Sequence, residues 1–203
     1  MVPDKIIVNG TGFLPSKAKL NYSIGPSLRY AKMFNGLKKM NTREKVLVLL
    51  PYFEDDINNI LRTLANFQKP VFIKFHPATD IDRFKCLVAK NAEIVIDDIY
   101  KLFEGTKILI GAASGTLLEA ASLGIPVISV KNTGRFECNP LPAYGKGVIW
   151  EESAGEEELK RQISLFERAL INDPSQIETM AMRYKKDFFC EPTEENIKAG
   201  FDL

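Results

Sequence analysis

One histidine and one tryptophan occur in 203 residues, and the three cysteines, Cys86, Cys138 and Cys190, are widely spaced with no CxxC and no Cys/His cluster. That scarcity argues against structural zinc and a disulfide framework and for a reducing compartment, the cytoplasm by default. An excess of charge is also missing. Lys+Arg number 27 and Asp+Glu 26, a net charge of +1, so no global field draws the chain to nucleic acid or to an anionic membrane. No apolar run approaches the ~20 residues of a spanning helix, and the start MVPDKIIVNG has neither the charged nor the apolar region of a secretory signal. Internal repeats and low-complexity tracts are absent. Several motifs are missing too. There is no GxxxxGK[ST] loop, Gly10-Thr11-Gly12 lacks the third glycine of a dinucleotide fingerprint, and GAASGT lacks the GxSxG elbow of a hydrolase. Asp80-Ile81-Asp82 has DxD spacing only, inside an expected helix start.

With 45% hydrophobic residues, the chain can bury a core and reads as one ordinary domain with an appended arm. The apolar pattern alternates between strand and helix periods. Residues 5–9 suit a strand, and 10–27, rich in Gly, Pro, Lys and Ser, read as linker. From residue 45 the pattern becomes regular. Strand 46–50, turn 51–56 and helix 57–67, with Ile57, Ile60, Leu61 and Leu64 on one face, make one βα unit. Strand 71–75, turn 76–80 and a second helix striped by Ile81, Phe84, Leu87 and Val88 make another. Strand 94–96 and a short helix 99–103 follow.

Residues 108–130, ILIGAASGTLLEAASLGIPVISV, read as strand, small-residue turn, helix opening at Ser114-Gly115-Thr116, stop at Gly124 and Pro126, and second strand. A last strand is expected at 147–150 and helices at 156–170 and from Pro174, with a polar tail crossing back over the sheet. Such alternation predicts a three-layer α/β sandwich of Rossmann-like type with a mainly parallel sheet and right-handed crossovers.

Open parallel sheets bind ligands beyond the carboxyl ends of their strands, which selects the loops. In the loop after residue 110, unpartnered amides and the helix dipole at Ser114, Gly115 and Thr116 favour a phosphate, and the small residues 111–113 allow close approach. A capping box between Thr116 and Glu119 explains those two residues without a ligand. Glu119 alternatively accepts hydrogen bonds from a ribose. His76, the lone histidine, directly follows a buried strand and precedes Pro77. It suits ligand contact, and equally suits capping a helix or bonding a carbonyl. Lys131 and Arg135, after the strand ending at 130, are cations placed to neutralise a diphosphate or simply to face solvent, as is Arg29.

KFHP at residues 74–77 and SGTLLEAASLGIPVI at 114–128 resemble the carboxy-terminal, donor-binding half of GT-B glycosyltransferases, over about residues 45–150. Similarity is nearest to bacterial transferases that build capsule, lipopolysaccharide or teichoic-acid chains. The resemblance implies that His76 is the catalytic contact to the leaving phosphate. Pro77, Ser114, Gly115, Thr116 and Glu119 would bind the nucleotide sugar. It implies a UDP-, CMP- or CDP-linked donor as substrate, no metal and no bound cofactor.

The stretch SGTLLEAASLGIPVISVKNTGRFE is also similar to UDP-N-acetylglucosamine 2-epimerase, and that resemblance implies that Lys131 and Arg135, near its basic positions, join the nucleotide-sugar-binding set. A non-catalytic nucleotide-binding domain is a third expectation. Only one Rossmann-like half is visible, so residues 1–40 are expected to be linker and the remnant of a missing amino-terminal domain. The nucleotide-sugar-binding domain would then span 41–172 and a helical extension 173–203. On that expectation a glycan or lipid-linked acceptor binds through the missing domain, and the full-length protein sits in the cytoplasm or peripherally at the inner membrane.

Overall fold

The computed structural model describes residues 3–15, 17, 20–34, 43–112, 114–131 and 139–201. Two short strands, β1 (Ile6–Val8) and β2 (Tyr22–Ile24), pair in parallel as a separate ribbon. The main sheet has six parallel strands, β3 (Lys45–Leu49), β4 (Val71–Lys74), β5 (Ala92–Ile94), β6 (Thr106–Gly111), β7 (Val127–Val130) and β8 (Trp150–Ser153), in the order β5-β4-β3-β6-β7-β8. The chain runs outward from β3 through β4 to β5, then returns past β3 to start the other half at β6. The reversal point therefore lies between β3 and β6, and a crevice opens there beyond the strand ends.

Alternation along the strands divides the core into two layers. Val46 and Val48 of β3 belong to a cluster with Ile57, Ile60, Leu61 and Leu64 of α1 (Glu54–Leu64) and with Leu159, Ile163 and Phe166 of α4 (Glu156–Asn172). Leu47 belongs to the opposite cluster. There it joins Phe103 of α2 (Ile99–Phe103), Leu117, Leu118, Ala120 and Ala121 of α3 (Gly115–Ser122), and Ile177, Ala181, Tyr184 and Phe188 of α5 (Pro174–Phe188). Burying each large aliphatic side chain contributes about 1.5–3 kcal/mol. The expected α/β sandwich is the observed fold.

Several local expectations need correction. Helix α1 starts at Glu54 rather than 57, because Glu54, Asp55 and Asp56 fill its first turn and complement the dipole. The second helix is two single 3-10 turns, Ile81–Arg83 and Lys85–Leu87. The apolar residues 81, 84 and 87 repeat every third position, the 3-10 period, and Leu87 is left exposed. Strand β5 ends at Ile94, which pairs with Ile73, and leaves Ile96 exposed beyond the sheet. The last strand begins at Trp150, because Gly147 has φ +82 and its N–H turns back to the Trp150 carbonyl. The stretch read as linker contains β2.

The β1–β2 ribbon is anchored to the end of α5. The Cys190 N–H donates to the Asn9 carbonyl at 2.6 Å, the Ser27 N–H donates to the Cys190 carbonyl at 2.8 Å, and the Phe13 and Phe188 rings meet edge to face. Helix α5 packs on α3. The last helix, α6 (Glu194–Phe201), brings Gly200 against Gly25 and Pro26, where a Cβ would lie 2.7 Å from Pro26 Cδ. Among the described residues no helix is long and apolar enough to cross a membrane, and no cluster of three or more metal-ligating side chains occurs.

Candidate functional site

The strand ends at the reversal point border a cleft of about 330 Å³. Leu49, Leu50 and Pro51 line it from β3 and the turn that follows, Lys74 to Pro77 from the end of β4, and Ala112, Ser114 and Thr116 from the turn after β6. Arg29 and Ile99 complete the wall. The two motifs singled out in the sequence, His76-Pro77 and Ser114-Thr116, therefore share one cavity.

Each motif is held by its own backbone. The Ala78 N–H donates to His76 Nδ1 at 3.2 Å, and the Thr79 N–H donates to the His76 carbonyl at 2.9 Å. With Nδ1 accepting, Nε2 is the nitrogen left to donate from a neutral ring. The Tyr52 ring meets the imidazole edge to face, 5.5 Å between centroids. Ser114 is the N-cap of α3, and its Oγ accepts from the Thr116 N–H at 3.3 Å. Thr116 is already inside the helix, past the capping position, so the Thr116/Glu119 capping box does not form. A Cβ on Gly115 would meet no atom within 4 Å, which leaves open space over the first turn of the helix.

Gly111 has a different reason to be small. A Cβ there would lie 2.9 Å from Leu117 Cδ2 and 3.4 Å from the Leu49 carbonyl oxygen, so its smallness serves the packing of β6 on α3 and β3. The close approach expected of a ligand at this position is made by the protein itself. Ala113 lies outside the described residues.

Glu119 is not among the residues lining the cleft. It is 8% exposed, and its Oε2 accepts a 2.6 Å hydrogen bond from the Tyr100 hydroxyl. Burial raises the Glu119 carboxyl above the usual carboxylate range, opposed by the Tyr100 hydrogen bond and the charge of Arg29. Burial, then the neighbouring carboxylate, raises the Tyr100 phenol as well. Lys131 follows β7 and its Nζ stands 3.7 Å from Glu152 Oε2, an oxygen that also holds Lys146 at 2.6 Å. Lys131 does not line the cleft, and Arg135 lies outside the described residues.

Among the described residues, the cations that line the cleft are Arg29 and Lys74. Arg29 comes from the 3-10 segment Leu28–Phe34, which precedes the main sheet in the chain. Lys74 ends β4, and its ammonium donates to the Ile96 and Asp97 carbonyls at 3.3 and 2.8 Å, tying the β5–α2 loop to the cleft wall. The two acidic loop residues have structural partners. Asp97 pairs with Lys101, and Asp98 caps α2 through the Tyr100 N–H and pairs with Lys32; these hydrogen bonds to lysine lower both carboxyls. Sequence pattern placed His76 and Ser114 correctly on strand ends. It had no signal for Lys74 beyond its position two residues before the histidine.

No protein-family profile matches the chain, and no curated protein matches it. Solved structures do share its fold. UDP-GlcNAc 2-epimerase from Methanocaldococcus jannaschii, in complex with UDP-GlcNAc and UDP, superposes with a TM-score of 0.55 at 14% identity, over 78% of this chain and 53% of that one. The Anabaena protein HepE in complex with UDP gives 0.54 at 12% identity, over 92% and 60%. The glycotransferase of kitacinnamycin gives 0.53 at 12% identity, over 98% and 54%. The chain spans little more than half the length of these proteins. At such identities the likeness establishes the fold, a Rossmann-like α/β sandwich that the chain has in common with GT-B glycosyltransferases and a UDP-GlcNAc 2-epimerase.

Proposed function

We propose that the chain is the nucleotide-sugar-binding domain of a glycosyltransferase that acts in surface polysaccharide, lipopolysaccharide or capsule synthesis. The observation that carries the reading is the single cleft at the sheet's reversal point, where the imidazole of His76 and the amino-terminal end of α3 line the same cavity. An anion there meets helix amides and the dipole of α3, with Arg29 and Lys74 as local positive charge. HepE and the M. jannaschii epimerase, whose fold this chain shares, were solved with UDP or UDP-GlcNAc, which supports a UDP-linked ligand. CMP- and CDP-linked donors satisfy the same phosphate chemistry.

In this reading the nucleotide phosphates lie over Ser114 to Thr116, and His76 Nε2 donates to the phosphate next to the bond that breaks. Charge develops on that phosphate as it departs. Each well-placed donor then lowers the barrier by a few kcal/mol, about 2.7–4 in a comparable oxyanion site. The chain supplies the donor side only, and the glycan or lipid-linked acceptor is held by a further domain. Epimerisation of UDP-GlcNAc is the second reading, since an epimerase shares the fold.

Calorimetry with UDP, CDP, CMP and GDP tests the site. At least one nucleotide is expected to bind, and His76→Ala and Ser114→Ala are each expected to weaken it. Unchanged affinity in both variants would overturn the assignment. Incubating a protein that carries both halves with UDP-GlcNAc and no acceptor separates the two readings, because only an epimerase converts it to the manno sugar.

A further inference from the structure

A second cavity, of about 460 Å³, shares Tyr52 with the surroundings of His76. The nucleotide reading does not use it. Its walls are the turn before α1 (Tyr52, Phe53), the first turn of that helix (Glu54, Asp55), and the segment that follows His76-Pro77, with Thr79, Asp80 and Arg83. The same two loops thus border both cavities, and Tyr52 packs against the imidazole that lines the other one.

The two cavities differ in charge. Arg29 and Lys74 bring positive charge to the first, and no carboxylate is found among its described lining residues. Among the described residues, the second is lined by the carboxylates of Glu54, Asp55 and Asp80 and by the guanidinium of Arg83. A phosphate entering it would be repelled, whereas a neutral ligand rich in hydroxyl donors would not. The aromatic content points the same way. Tyr52 and Phe53 remain 57% and 49% exposed, large planar surfaces that the core does not cover. Aromatic faces pack against the C–H faces of a ring while carboxylates accept from its hydroxyls. Two of the carboxylates are also held in place. Arg83 grips Glu54 with its two terminal guanidinium nitrogens, Nη1 to Oε1 and Nη2 at 2.9 Å from Oε2, and Asp80 Oδ1 accepts from the Asp82 N–H.

From this we infer that the cavity bounded by Tyr52, Phe53, Glu54, Asp80 and Arg83 is a saccharide subsite, taking an uncharged pyranose beside the nucleotide cleft. The pyranose has two sources, the sugar of the donor or the end of a glycan acceptor, and both present the same ring and hydroxyls. Nucleotide binding at α3 does not require a pyranose here, so the two sites can fail separately.

Backbone amide chemical shifts of the whole chain are the test, with UDP, UDP-GlcNAc, maltotriose and chitobiose as the probes. Saturable shifts at Tyr52 to Asp55 and Ala78 to Arg83 with a free oligosaccharide support the subsite and identify an acceptor. The same shifts with UDP-GlcNAc, absent with UDP, support it and identify the donor sugar. Tyr52→Ala should remove them and Tyr52→Phe should retain them, with unchanged thermal midpoints confirming that both variants fold. No saturable shift at these amides with any saccharide probe, or equal shifts with UDP alone, overturns the inference. Shifts at Ser114 to Thr116 with UDP report independently on the nucleotide site.

Discussion

The Tyr100 hydroxyl donates to Glu119 Oε2 at 2.6 Å, joining α2 to the buried side of α3. Removing the hydroxyl in Tyr100→Phe leaves a buried carboxylate oxygen without its donor. The expected loss is about 1–3 kcal/mol of stability, the usual cost of an unsatisfied buried group. Urea unfolding of the variant beside the parent checks it, and an unchanged midpoint would show that the pair contributes nothing.

The same carboxylate sets a pH dependence. Burial raises the folded-state value of Glu119 above its ordinary 4.5, so between that value and the raised one the folded chain binds more protons than the unfolded chain. Stability from this group is therefore fully present below the ordinary value and is lost as pH rises through the raised one. Glu119→Gln removes the titration while keeping an acceptor for Tyr100. Relative to the parent, the variant is expected to gain stability as pH rises from the acid range to neutrality. A parent-minus-variant difference that stays flat across this window would contradict the raised value.

Charge at the nucleotide cleft should come from Arg29 and Lys74 rather than from Lys131. Arg29→Ala is expected to weaken nucleotide binding about tenfold or more, since a hydrogen bond to a charged group is worth about 1.5–3 kcal/mol. Lys131→Ala, which removes a partner of Glu152 outside the cleft, is expected to change it much less. Titration calorimetry at one fixed ionic strength compares the two, because surface charge effects are screened by salt. Equal losses would overturn the choice of Arg29 over Lys131.

Gly10 tests how the amino-terminal strands are held. A Cβ at this position would lie 2.5 Å from the Asp187 carbonyl oxygen and 2.5 Å from the Phe188 carbonyl carbon, backbone atoms with no flexible end to move aside. Gly10→Ala is expected to loosen β1 and β2 from α5, at a cost of about 1–3 kcal/mol. Limited proteolysis should then cut ahead of residue 28 sooner than in the parent. Identical digestion patterns would show that the contact is easily accommodated.

The alternation of apolar residues determined most of the sheet. Val46 and Val48 against Leu47, the buried run 108–110, and the stop at Gly124, whose φ is +73, each specify local structure through neighbours close in sequence, so pattern alone locates β3, β6 and the end of α3. It also locates His76 and Ser114 at strand ends. Two things depended on contacts between distant segments. One is the pairing of β1 with β2, three residues each, too short for a periodic signal and held instead by Asn9, Ser27 and Cys190. The other is the composition of the cleft. Loop cations look alike in sequence, and only the tertiary fold turned Lys131 towards Glu152, brought Arg29 to the strand ends from a preceding segment, and placed Tyr100 where it takes the carboxylate of Glu119.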